Sequence, residues 1–408
     1  MKLCASASFT CSRVIALLYF DHNASTPVAP EVADTIALAV RDVFGNPSST
    51  HRDGQLARRH IEDSRRTIAG FLNVLPAEVV FTSGGTESNN LAIFGLTRTL
   101  PGDRKHIITT VIEHPAVLEP FRRLERDSVQ VTYLGVNAAG AVSIEDLERH
   151  IRPETVLVSV MHANNETGVI QPVDRIAALV RRLRAAGQTI YFHSDGVQAL
   201  GKCNVDIAAT GADLYAISAH KIYAPKGVGA LIVRKGTPLA GIQFGGRHER
   251  ERRAGTENVQ GAMAFSRAIE LCSANDRGQL ADLRDRFERR VFSELDDIEV
   301  NGTPESRLPN TSNLLFRGIS GEALLIALDV KGMAVSTGSA CSSGAVEPSH
   351  VLLAMGRTRD EAKSSVRFSF GRYNTEQEVD QLAGAVISCV RQLRKTAQRT
   401  KVREVQPV

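Results

Sequence analysis

The chain has 408 residues, 43% of them hydrophobic, and a formal charge of +4. That length supplies a sizeable core and predicts one large domain with a smaller one; the near-balanced charge argues against a nucleic-acid or membrane-surface partner, and no apolar run approaches the ~20 residues of a membrane helix. The cysteines, Cys4, Cys11, Cys203, Cys272, Cys341 and Cys389, are scattered without a Cys-x-x-Cys, so neither a zinc site nor a disulfide framework is expected and a reducing, cytoplasmic compartment fits.

Residues 1–18 carry Lys2, Arg13, several serines and no acid. They read as an N-terminal extension, an extended start or a disordered tail, because the apolar run to Phe20 leads straight into Asp21-His22-Asn23-Ala24-Ser25-Thr26-Pro27, which looks like mature protein. Strands are then expected at 78–82, 106–110, 129–134, 156–161, 189–193, 214–217 and 229–233. Helices are expected at 87–96, 144–150 and 173–186, with a weaker helical pattern ahead of Asp103. Short β-branched runs separated by helices predict the α/β class, with a large, mainly parallel sheet covered on both faces. From about Ala262 the pattern changes to a long charged helix, 262–295, then strands at 311–316 and 365–369 and helices at 322–331 and 376–395. We read a large domain at 28–275 and a small α+β domain at 276–408 together with 19–27, with no internal repeat.

Several motifs sit at strand ends, where open α/β sheets bind ligands. Phe81-Thr82-Ser83-Gly84-Gly85-Thr86 runs from strand through glycine turn to helix start, a shape that binds phosphate through free N–H groups, though Gly-Gly turns are common. Gly196 to Lys202 matches G-x-x-x-x-G-K, but Cys203 stands where a nucleotide loop needs Ser or Thr, so the match is read as coincidence. Asp195, in Tyr191 to Gln198, can keep a pyridine nitrogen protonated, and Gln198 can share that face. Lys221, in Ser218-Ala219-His220-Lys221, has few charged neighbours in sequence and can hold an aldehyde as a Schiff base, while Ser218 and His220 can bond a phosphate. His114 suits either ring stacking and proton transfer or simple helix capping before Pro115. Asn164-Asn165-Glu166-Thr167-Gly168 suits either ligand bonding or a turn, and Arg367 either a carboxylate clamp or an edge-strand surface charge. Cys341 lies in Ser336-Thr337-Gly338-Ser339-Ala340-Cys341-Ser342-Ser343-Gly344, which reads as a flexible, exposed loop. The charged run Arg247 to Arg253 reads as a solvated or subunit-contact loop, since it lacks aromatic interleaving.

Taken in order, these segments resemble cysteine desulfurases of the NifS/IscS type, in the class V aminotransferase group of fold-type I pyridoxal-phosphate enzymes. The resemblance runs from about Phe20 to Arg391 and rests on Ser83 to Ser88, Glu113-His114, Asn164 to Glu166, Ser194 to Gln198, Ser218 to Lys221, Arg253 to Thr256, Gly338 to Cys341, Glu347 to His350 and Val366 to Phe368. Ala254 to Val259 and the Ala224-Pro225-Lys226-Gly227 turn look closer to the nitrogen-fixation branch. The resemblance implies a homodimer with pyridoxal 5′-phosphate as cofactor and L-cysteine as substrate. An iron–sulfur scaffold protein is implied as sulfur acceptor, tying the chain to iron–sulfur and metal-binding chemistry without assigning any residue as a metal ligand. It implies that Gly85, Thr86, Ser218 and His220 hold the phosphate, with Thr256 reaching in from the partner subunit. His114 would stack on the ring, Asp195 would pair with its nitrogen, and Asn165 and Gln198 would face its oxygen. Lys221 would be the Schiff-base lysine, Arg367 with Asn165 would bind substrate carboxylate, and Cys341 would take the sulfur. Gly85 departs from many such proteins, which have alanine there. Another enzyme of the fold, such as an aminotransferase or selenocysteine lyase, would not need Cys341, and a silent sulfur carrier would not need Lys221.

Overall fold

The computed structural model describes residues 17–100, 105–337 and 347–404; most of the N-terminal extension and the Cys341 segment therefore lie outside the described residues. A two-residue strand, β1 (Leu18–Tyr19), precedes two helices, α1 (Pro30–Asp42) and α2 (Arg52–Phe71). Neither helix figures in the sequence reading, although both carry start signals: Pro30 opens α1, and the His51 ring accepts the Gly54 N–H at the head of α2.

The large sheet comprises β2 (Val79–Thr82), β3 (His106–Thr110), β4 (Gln130–Leu134), β5 (Thr155–Ser159), β6 (Tyr191–Asp195), β7 (Leu214–Ser218) and β8 (Gly229–Val233), ordered β2-β8-β7-β6-β5-β3-β4. Only β8 opposes its neighbours; the other pairs are parallel. Helices α3 (Gly85–Thr99), α4 (Pro115–Glu125), α5 (Ile144–His150), α6 (Val173–Ala185) and α7 (Ile207–Thr210) connect the strands, and α8 (Val259–Glu270) packs on α1 and α2. Burial on both faces explains the uninterrupted apolar strands: Ile68, Phe192, Ile217 and Phe265 share one core, and Leu91, Leu96, Ile107 and Phe121 the other. Because β2, β3, β5, β6 and β7 all point the same way, their carboxyl ends meet along one edge.

The single helix expected at 262–295 is two. The chain breaks after Glu270, and Ser273 starts α9 (Ala274–Glu294) with a capping box: its hydroxyl accepts from Asp276 N, and the Asp276 carboxylate accepts from Ser273 N. Beyond it, β9 (Ile298–Val300), β10 (Thr311–Phe316), α10 (Gly321–Asp329), β11 (Met333–Ala334), α11 (His350–Ala354), α12 (Arg359–Lys363), β12 (Ser365–Ser369) and α13 (Glu376–Glu404) follow. Strands β12-β10-β9 form an antiparallel sheet over a separate core containing Phe287, Phe316, Phe368 and Phe370. Phe20 is buried in that core, and β1 pairs in parallel with β11.

The segment after β8 is anchored by a buried ion pair. Arg65 Nη1 and Nη2 donate to the two Glu249 oxygens at 2.7 and 2.8 Å, and the Phe81 N–H donates to Glu249 Oε2 at 3.0 Å. Glu249, Arg250 and Glu251 have φ of 47°, 57° and 65°, an unfavourable conformation for three successive non-glycine residues. Removing Glu249 would strand the Arg65 charge, so Glu249→Ala is expected to cost about 3–5 kcal/mol in denaturant unfolding. A loss below about 1 kcal/mol would show that the pair does not hold this loop.

Candidate active site

A cavity of about 380 Å³ opens along the shared strand edge. It is lined by Gly85, Thr86, His114, Asn165, Asp195, Gln198, Ser218, His220, Lys221 and Arg367. These residues come from separate turns of the large sheet and from β12, so the fold gathers what the sequence spreads over nearly three hundred positions. Thr256 does not line it and is exposed in the single chain, and Cys341 lies outside the described residues.

One end of the cavity suits an anion. Gly84 has φ 152°, a value that favours glycine, and leads into α3, whose first N–H groups have no side-chain cap. Opposite them, Ser218 Oγ is buried without a hydrogen-bond partner. The two features together form an incomplete polar cradle matched to a phosphate. A Cβ on Gly85 would lie 2.7 Å from Val197 Cγ2, which accounts for glycine here. His220 stands beside this end with Nδ1 3.2 Å from Ser25 Oγ; burial and the nearby Lys221, Lys226 and Lys202 push its pKa down to about 4.

At the middle, Asp195 ends β6. Asn89 Nδ2 donates to Asp195 Oδ2 at 2.7 Å, and Val197 N donates to Oδ1 at 3.0 Å. Asn89 Oδ1 lies 3.1 Å from His193 Nε2, and His193 Nδ1 lies 2.8 Å from Ser159 Oγ. This chain of side chains fixes the carboxylate and leaves it facing the cavity. His114 caps α4, its Nδ1 accepting the Ala116 N–H at 3.0 Å, so the bland reading of that residue holds and the ring also borders the cavity. The surrounding protein desolvates the ring despite its exposed outer face and lowers its pKa, with Lys221 and His350 acting the same way against Asp195.

Lys221 Nζ donates to the backbone carbonyls of Asn23 and Ala24, both at 2.7 Å. Burial first, then the Arg367 charge, lowers its pKa to about 8 against the opposing pull of Asp195 and Asp21. An amine so placed exchanges protons near neutrality. Arg367 is buried, which removes the edge-strand surface reading. Its Nη2 donates to Asp21 Oδ1 at 2.6 Å and its Nη1 to Asn165 O at 2.9 Å, while Nε has no partner. The carboxylate it faces in this structure is thus Asp21.

Asn23, Asn89, Lys202 and Asp21 were not assigned site roles from sequence. Asn23 alone bonds Lys221, Gln198, Lys202, Asn165 O, Thr311 and Ser369. The available signals were weak: a polar run after an apolar one for Asn23, and an i, i+4 spacing from Gln198 for Lys202, noticed only within the rejected G-x-x-x-x-G-K match.

Behind the cavity, Glu113 is fully buried. Its Oε1 accepts from Met161 N at 2.8 Å and Thr110 Oγ1 at 2.9 Å, its Oε2 has no partner, and burial raises its pKa to about 8. The folded chain therefore holds this proton more tightly than the unfolded one. The stabilisation is complete below the ordinary pKa near 4.5 and is lost as pH rises through 8. Glu113→Gln is expected to gain a few kcal/mol over the parent at pH 9 and little at pH 5; equal differences at both pH values would show that Glu113 does not titrate this way.

The model of the family described as "Aminotransferase class-V" matches residues 18–382. Over 380 residues the chain is 43% identical to "Cysteine desulfurase IscS" of Dictyoglomus turgidum, covering 92% of this chain and 95% of that one. The chain belongs to the cysteine desulfurases of the class-V aminotransferase family. Among solved structures, a "NIFS-like protein" is 35% identical with a TM-score of 0.85, covering 92% of this chain and all of that one. "SspA in complex with cysteine" is 34% identical with a TM-score of 0.78, covering 88% of this chain and all of that one. The expected α/β family fold, with its large, mostly parallel sheet, is therefore present. The described residues on either side of the Cys341 segment are bonded to the cavity's surroundings. Ser336 and Arg367 exchange backbone bonds at the cavity wall, Ser349 Oγ donates to Glu166 Oε2 at 2.5 Å, and His350 Nε2 lies 3.1 Å from Glu113 O.

Proposed function

We propose that the chain removes sulfur from L-cysteine with pyridoxal 5′-phosphate as cofactor, giving L-alanine and a persulfide on Cys341. The observation that carries this is Lys221: a half-buried amine of lowered pKa, in one cavity with Asp195 and the Ser218–α3 cradle. The cradle fits the cofactor phosphate, with Gly85, Thr86, Ser218 and His220 as its holders. When bound, the cofactor supplies an electron sink conjugated to the substrate Cα.

The chain's own residues do the rest. Lys221 would hold the cofactor aldehyde and, once displaced, would take the Cα proton. Asp195 would keep a proton on the ring nitrogen, His114 would cover the ring and exchange protons through Nε2, and Asn165 and Gln198 would face the ring oxygen. Arg367 takes the substrate carboxylate in exchange for Asp21, assisted by Asn165. The Cys341 thiolate forms an S–S bond to the substrate sulfur as the Cβ–S bond breaks, the electron pair left at Cβ takes a proton, and Lys221 returns a proton to Cα, giving L-alanine. Cys341 is five residues beyond Ser336, a span of at most ~18 Å, which supports its reach into the cavity that Ser336 lines.

The persulfide then passes to an iron–sulfur scaffold protein. The working form is a homodimer in which Thr256 completes the neighbouring site; its exposure, and that of Phe244 at 85%, support a covered surface there. The two separate cores support a large domain at 28–275 and a small one at 276–408 with 19–27. No helix among the described residues is long and apolar enough to cross a membrane. We place the protein in the cytoplasm because its chemistry needs reduced thiols. Purified protein supplied with the cofactor and a reductant should turn yellow and convert L-cysteine to alanine and sulfide in equal amounts. Yellow protein that yields pyruvate, or no alanine, would overturn the reading.

A further inference from the structure

Lys202 is a buried lysine that the reaction just described does not use. The charged groups acting on it most are Lys221 and Arg367, both cations, with Cys203 opposing them; His22 and His220 feel its charge in turn. No carboxylate is bonded to it among the described residues. Instead its Nζ donates to Gln198 Oε1 at 2.6 Å and to Asn23 Oδ1 at 2.9 Å, and Gln198 Nε2 donates to Asn23 O at 2.9 Å. The three residues close a ring of hydrogen bonds at the cavity wall.

The ring determines which way the Gln198 amide points. A backbone carbonyl only accepts, so the Gln198 nitrogen must face Asn23 O, and its oxygen then accepts from Lys202. The second N–H of Gln198 then remains for the cavity that the residue lines. Without Lys202, Gln198 Oε1 would lose its donor in a buried place, and the amide would be held only through Nε2 to Asn23 O.

We propose that Lys202 is a positioning residue, holding the Gln198 amide by its oxygen so that the second N–H is kept aimed at an oxygen of the bound cofactor. The proposal rests on the pyridoxal-phosphate reading above. It explains why a lysine is kept in the interior although burial, then the Lys221 and Arg367 charges, push its pKa well down: its N–H groups tie Gln198 to Asn23.

The test is cofactor titration of apo protein with pyridoxal 5′-phosphate, followed by the visible spectrum and the thermal midpoint of each apo form. Lys202→Met is expected to weaken cofactor binding about ten-fold or more and to shift the absorption band. In a Gln198→Leu background the same change should add less than about two-fold, because the two residues act as one unit. Gln198→Glu guards against a Lys202→Met chain that does not fold: it keeps the partner of Lys202 as an ion pair but removes the donor. Its apo form should still unfold cooperatively, and it should lose affinity as Lys202→Met does. Equal losses from Lys202→Met in both backgrounds, or parental affinity and spectrum in Gln198→Glu, overturn the proposal alone. A parent chain that takes up no cofactor overturns the reading beneath it and the proposal with it.

Discussion

Lys221→Ala is expected to abolish borohydride-fixed cofactor and to lower desulfuration by about 10²–10⁴-fold. The structure gives this lysine two tasks and no substitute. Lys202 is buried against this wall, but its nitrogen is committed to Gln198 and Asn23. Lys226 is exposed on the turn after Tyr223. Lys221, by contrast, is held only by two backbone carbonyls, and its pKa near 8 leaves part of it neutral at working pH. Peptide mapping after reduction should find the label on Lys221 in the parent and on no lysine in the variant. Label on Lys202 or Lys226 would reassign the site. The variant should still bind cofactor without a covalent bond, because the Ser218–α3 cradle and Asp195 remain.

Cys341→Ala should separate the two halves of the chemistry. Cofactor uptake and the spectral response to L-cysteine are expected to persist, since every group that lines the cavity is intact. Sustained alanine formation should fall by at least about 10³-fold, because the thiolate that breaks the bond is then missing. The described cysteines do not offer one. Burial raises the pKa of Cys203 and Cys272 to about 11, and that of Cys389 also upward. Trapping with an alkylating probe and mass analysis should find the persulfide on Cys341 in the parent. Near-parental turnover by the variant would falsify this role and point to a lyase that frees sulfur directly.

Much of the sheet was legible because its strands are buried on both faces, and buried strands are written in β-branched runs. Strands at 106–110, 229–233, 311–316 and 365–369 fall where the pattern put them. The 262–295 reading failed for a local reason: charged helical periodicity continues across Leu271–Ser273, and only the Ser273–Asp276 box reveals the break. Reactive residues could be found because their chemistry is rare at strand ends, as with Asp195, Ser218 and Lys221. Their supports could not. Asn23 and Asn89 are amides whose value comes from partners far away in the chain, and no spacing rule predicts that Asn89 will meet Asp195 or that Asn23 will meet Lys221. Arg367 shows the intermediate case: alternation along β12 left its face undecided, and only the packing of Asp21 against it settles that it points inward.

The strand β1 and the residues after it make the leading edge of the folded chain part of its chemistry. Phe20 is locked into one core, while Asn23 and Ala24, only a few positions later, supply the carbonyls that hold the Lys221 amine. Trimming by an exopeptidase would meet no large loss of sheet or helix until well past this point, so a clipped protein would look folded by far-ultraviolet circular dichroism. It would nonetheless be a blank enzyme, missing the wall of its own cavity. The stretch from Leu18 to Ala24 is therefore a quality mark for any preparation: intact mass, rather than secondary-structure content, is what distinguishes a competent molecule from an inert one.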